Sequence, residues 1–164
     1  MSTAILGAFT AFHVAISLVG IMAGFVVVFN LLGSKSSKGW TATFLWTTLA
    51  TSVTGFLFPY HGFTPAIGTG IVAIIVMVPT LIGLYGKKLA GFWRPTYVIG
   101  AVISCYLNFF VLIVQSFLKI PALHDLAPTQ KEPPFAIAQG LGLLLFVALG
   151  TAATIKFKPA PASA

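Results

Sequence analysis

The chain has 164 residues, 58 % of them hydrophobic, and carries only nine basic and two acidic side chains. A soluble domain of that length would hold roughly 40 charged residues, and a fold this poor in polar surface would leave long apolar segments facing water, so a water-soluble globular protein is excluded. The net charge of +7 is no nucleic-acid footprint, because the basic residues stand in short stretches between apolar runs, and the single cysteine, Cys105, excludes an internal disulfide and multi-cysteine metal motifs.

Five apolar runs are long enough to cross about 30 Å of hydrocarbon. They predict an all-α membrane protein: one domain over residues 1–157, a bundle of five transmembrane helices at about 4–32, 40–58, 66–85, 95–120 and 135–157, followed by a short disordered tail, 158–164. The first run ends at Gly33-Ser34-Lys35, the pattern of a helix C-terminus, and Met1 to Thr3 is too short and uncharged to open a cleavable signal, so this span is expected to be retained. The second is rich in threonine and stops before Pro59. The third contains Pro79, which predicts a kink, and ends at Gly86-Lys87-Lys88. The fourth has Pro95 in its first turn, where a missing N–H costs nothing, and ends before Pro121. The aromatics Trp40, Trp46, Trp93 and Tyr97 read as interfacial anchors or packing. No internal repeat of the kind found in secondary transporters is evident.

Lys and Arg in short loops are retained on the cytoplasmic side. Lys35, Lys38, Lys87, Lys88, Arg94, Lys156 and Lys158 fall on one side of the five-span arrangement, and only Lys119 and Lys131 on the other. The N-terminus is therefore expected outside and the C-terminus in the cytoplasm. Both acids of the chain, Asp125 and Glu132, belong to the outer side.

Polar side chains inside lipid are costly and usually face other helices or a cavity. On the fourth span Tyr97, Ser104, Asn108, Gln115 and Lys119 share a sector of roughly 60°. On the first, Thr10, His13, Ser17, Gly20 and Gly24 share one of about 80°, with the two glycines spaced for close helix approach. His13 and Asn108 come out at similar depth, about 13 and 16 Å, while Gln115 and Gln139 each lie about 7 Å below the outer surface. The expectation is a ligand pocket formed by His13, Ser17, Asn108, Gln115 and Gln139. The bland alternative is that these groups only hold helices together, at about 0.6 kcal/mol each.

All three histidines fall in the outer half, with His61 in the Phe58-Pro-Tyr-His-Gly-Phe-Thr-Pro65 turn and His124 beside Asp125. An outer rim of His61, Lys119, His124, Asp125 and Glu132 is expected around the pocket, with His61, His124 and Asp125 as candidate metal ligands, although no two stand at helical ligand spacing. The stretch from Lys119 to Pro134 holds every acid and four prolines, and is expected to form a fixed cap over the outer polar layer, with Lys119 paired to Asp125 or Glu132. A metal ion, a quinone or a haem are the candidate ligands. A bis-histidine haem would need an outer loop to dip inward.

The first span from His13 through Gly20 to Gly24, the phrase FPYHGFTP, and above all YLNFFVLIVQSFLKIPALHDLAPTQKEPPF resemble an uncharacterised family of small bacterial multi-pass membrane proteins. The likeness covers most of the chain from His13 to Gly140. It implies a helical bundle in the bacterial inner (plasma) membrane, with the region of Asn108, Gln115, Lys119, His124 and Glu132 as its signature, and implies no activity. A fainter likeness is to small membrane bundles with a histidine on the first span or after the first loop; here the latter stretch reads Lys38-Gly39-Trp40.

No carboxylate lies inside a span, and no G-x-S-x-G, Walker or H-E-x-x-H motif occurs, so nothing points to an ordinary hydrolase or ATPase. Three function classes follow. The first is an integral membrane protein with a histidine-containing pocket in its outer half. The second is a structural or accessory subunit docking to itself or to a larger respiratory or transport complex in the bilayer. The third, a small transporter, lacks support from an intramembrane charge or a repeat.

Overall fold

Apolar residues surround the long segments instead of lining one stripe, as expected of helices whose surroundings are lipid on one side and other helices on the other. The computed structural model, which describes residues 3–59 and 62–158, contains only helices among the described residues. These are α1 (Thr3–Leu32), α2 (Lys38–Gly55), α3 (Pro65–Leu81) running on into a π-turn (Ile82–Gly86), α4 (Trp93–Lys119), α5 (Pro121–Leu126) and α6 (Pro133–Lys156).

Four of them, namely α1, α3 with its π-turn, α4 and α6, are long and apolar enough to cross a bilayer. The expected second span is a helix as well, of 18 residues. Six threonines, at positions 41, 43, 47, 48, 51 and 54, dilute its apolar content. It also ends at Gly55, earlier than the expected residue 58, and the chain leaves it through turns closed by Phe56 N–H to Val53 O and Leu57 N–H to Thr54 O.

The fourth helix is the hub. It packs on α1, α2, α3 and α6, while α2 lies between α1 and α3, and α6 rests against α4 and, less extensively, α1. The shared core is built from Val27 and Val28 of α1, Phe44 and Leu45 of α2, Met77 of α3, and Val98, Ala101 and Cys105 of α4. Helices approach closely only where a side chain is missing: a methyl at Gly24 would meet Cys105 Sγ and the Phe44 ring at 2.9 Å, and one at Gly100 would meet Thr80 Oγ1 at 1.9 Å.

At one end of the bundle α1 closes with Ser34 in the left-handed region (φ 52°) and the Lys35 N–H bonded to Asn30 O at 2.8 Å, a Schellman-type stop in which serine takes the place usually held by glycine. The Ser34 hydroxyl is used again, bonding the backbone of Lys158 beyond α6. Arg94, in the first turn of α4, donates from Nη1 to the carbonyls of Thr154 and Phe157, which ties the C-terminus of α6 to the same end.

At the opposite end the structure differs from the sequence expectation. Pro121 starts the short helix α5 where a proline-fixed loop was expected, because a proline at a helix N-terminus sacrifices no hydrogen bond. The segment after it does fold back on α4: Gln130, at φ 57°, donates to Val114 O at 2.9 Å, Ala127 is fully buried, and the Phe117 and Phe135 rings meet edge to face at 5.4 Å.

Candidate functional site

Serine and threonine hydroxyls on a helix satisfy themselves by donating to the carbonyl one turn back, which leaves their oxygen free to accept from a neighbouring helix. Helix α2 uses this repeatedly. The Thr54 hydroxyl donates to Ala50 O at 2.7 Å, and His13 Nδ1 lies 2.9 Å from the Thr54 oxygen. With the threonine proton directed to the backbone, the contact is satisfied by the His13 tautomer that carries hydrogen on Nδ1 and leaves the Nε2 lone pair free.

One turn further along, Ser17 donates to His13 O at 2.6 Å and lies 3.4 Å from Thr51 Oγ1. The His13 ring is framed by Phe58, edge to face at 5.1 Å, with Phe9 packed on Phe58 at 4.8 Å, and its Cε1 lies 3.8 Å from where a methyl on Gly55 would sit. The histidine is partly buried between α1 and α2, at the end of the bundle away from Arg94.

The polar stripe of α4 is distributed differently. Asn108 Nδ2 donates to Thr48 Oγ1 at 2.9 Å, with Thr48 only 1 % exposed. Tyr97 is buried beside the Phe157 ring, and the buried Ser104 hydroxyl meets Met77 Sδ at 3.5 Å. Asn108 and His13 thus both dock on α2, but their threonine partners are six residues apart, about 9 Å along the axis. They occupy separate layers, and the common layer inferred from depth alone does not form.

The second expected layer also separates. Gln139 donates to Phe110 O at 3.3 Å across the α4–α6 contact, and its Oε1 is buried without a partner. Gln115 is exposed. The rim residues lie outside the bundle interior: Lys119, His124 and Asp125 are exposed, and His61 lies outside the described residues. Among the described residues Lys119 pairs with neither Asp125 nor Glu132; Glu132 accepts from the Thr129 hydroxyl at 2.8 Å and from the Thr129 and Lys131 N–H groups at 3.3 and 3.0 Å. Desolvation raises the Glu132 pKa, and the hydrogen bonds from the Thr129 hydroxyl, from its own N–H and from the Thr129 and Lys131 N–H groups together outweigh it, holding the carboxyl below its ordinary 4.5. Among the described residues no three His, Cys, Asp or Glu side chains are grouped as a metal site would require.

Sequence reasoning missed the α2 threonines as partners. Their signal is present, six threonines on an 18-residue helix, but threonine on a helix usually bonds its own backbone and discloses no second partner.

Comparison with protein-family models, with curated proteins and with solved structures finds no match in any of the three. The likeness noted from the sequence therefore assigns no family, and a functional reading rests on the geometry.

Proposed function

We propose that the chain is a five-span bacterial inner-membrane protein, N-terminus outside and C-terminus cytoplasmic, which binds a lipid-soluble hydrogen-bond donor of the quinol type at His13. Helix α2 is then the fifth span, its threonines sheltered between α1, α3 and α4. The observation that carries the reading is the 2.9 Å contact of His13 Nδ1 with Thr54 Oγ1, whose own hydroxyl reaches Ala50 O: with Nδ1–H donating to Thr54, Nε2 is an acceptor set among aromatic rings. A neutral hydroxyl donor suits one fixed acceptor in an apolar frame. Haem iron or a metal ion would use the same lone pair, and the bond from Nδ1 is the kind of support that ligating imidazoles have, but each needs further ligands that the described residues around His13 do not supply.

The test is binding of a short-chain quinol to the purified protein, with an absorption spectrum and elemental analysis on the same sample. Saturable binding is expected in the wild type and lost in His13→Phe. Thr54→Val, which releases the tautomer, weakens it about tenfold, and His124→Ala leaves it unchanged. No binding by the wild type, or equal binding by His13→Phe, overturns the reading.

A second reading, an accessory subunit docking to a larger respiratory or transport complex, is favoured by how thinly α6 is held. Only 11 % of its apolar window is buried within the chain. Co-purification at fixed stoichiometry with another membrane protein supports that reading. Solute flux in proteoliposomes would support the remaining one, a small transporter.

A further inference from the structure

Between helices α4 and α6, toward the basic end, lies a lipid-facing groove of about 440 Å³ lined by Ile99, Ile103 and Tyr106 on one wall and Val147, Thr151 and Ile155 on the other. The α6 wall extends from Leu143 to Ile155, about 18 Å at the helical rise, or about one leaflet of a bilayer. Its basic end is bounded by Thr154 and Ile155, and the Thr154 carbonyl is held by Arg94.

Arg94 is the only arginine in the chain. Both of its contacts are made by Nη1 to neutral backbone carbonyls, and among the described residues Nε and Nη2 make no hydrogen bond. The only two acidic side chains, Asp125 and Glu132, lie at the opposite end of the bundle. The guanidinium thus carries a formal charge that no side chain neutralises, with donors left over in the planar fork that matches phosphate oxygens. Exposed Lys156 and Lys158 flank the α6 end of this site.

We propose that this groove binds an anionic phospholipid, one acyl chain lying between α4 and α6 and the phosphodiester on Arg94. An apolar channel one leaflet long, ending at a guanidinium with no acidic side chain beside it and next to lysines, is complementary to a lipid carrying both a chain and a negative headgroup. A zwitterionic lipid would fill the groove and leave the charge unanswered. The site lies toward the other end of the bundle from His13, shares no residue with it and does not depend on it.

Native mass spectrometry and thermal unfolding, titrated with dioleoylphosphatidylglycerol, dioleoylphosphatidylcholine or inorganic phosphate, test this. Saturable, stabilising binding of the phosphatidylglycerol alone is expected. Arg94→Gln should weaken it about five- to tenfold. Because that change also loosens the end of α6, Thr151→Trp provides the second arm: it fills the groove from an exposed position, leaves the Arg94 contacts in place, and should weaken binding by a similar factor. Equal binding of both lipids, stabilisation by phosphate alone, or unchanged phosphatidylglycerol binding in Thr151→Trp overturns the proposal.

Discussion

His13 and Glu132 show how a single residue's chemistry is set by its neighbour's hydrogen. At His13 the decisive proton belongs to Thr54: once it points down its own helix, only one imidazole tautomer satisfies the contact. At Glu132 the partners are donors of its own turn, and the stabilised species is the carboxylate. A depressed folded pKa means the contribution is fully present above the ordinary value of 4.5 and is lost as pH falls through the lower folded value. The turn from Ala127 to Glu132 should therefore keep its amide protection at neutral pH and lose it in acid. Hydrogen exchange at the Thr129 and Lys131 amides should report that loss, whereas Glu132→Gln should show weaker protection with no such pH step. An acid-insensitive wild-type turn would mean that the carboxylate does not hold it.

Among the elements, the contact of α3 with α4 is the most exacting. Thr80 is fully buried, with its hydroxyl bonded to Val76 O at 2.7 Å, and it fills the space that a side chain on Gly100 would need. Gly100→Ala should cost about 1–3 kcal/mol through overpacking. Gly140→Ala on α6, where an added methyl meets nothing within 4 Å, should change stability by less than about 0.5 kcal/mol. Unfolding in micelles compares the two, and equal stabilities would show that α3 and α4 can separate at no cost. Helix α2 was legible as a helix, yet its C-terminal end was placed three residues too far, at 58 instead of Gly55. Phe56 and Leu57 are as apolar as a span requires, and the chain turns at Gly55 nonetheless, so hydropathy extended a helix that its backbone hydrogen bonds had ended.

For the molecule as a whole, the distribution of charge and the antiparallel helices make one topological prediction. Single cysteines at Ser36 and Gly91, in a Cys105→Ala background, should resist an impermeant thiol reagent applied to right-side-out cells, and one at Thr129 should react. Labelling of Ser36→Cys with Thr129→Cys protected would reverse the orientation proposed above. The bundle is held mainly by its interior: α4 touches the other five helices, and polar side chains of the spans such as His13, Asn108 and Gln139 bond within the chain. In lipid, where apolar surface gains nothing from association, close approach at small residues and such hydrogen bonds supply the cohesion.

That the chain is helical with segments apolar and long enough to cross a membrane, and roughly where each helix starts and stops, was decided by composition and local pattern, because transfer of apolar side chains and satisfaction of the backbone depend on each segment by itself. Which polar groups meet was not. Composition and rise per residue set neither how a helix rotates nor how far it slides against its neighbours, so similar depths for His13 and Asn108 suggested one layer, whereas His13 meets Thr54 and Asn108 meets Thr48 of α2. Partnership is a property of how helices rotate against one another, and only the tertiary structure contains that angle.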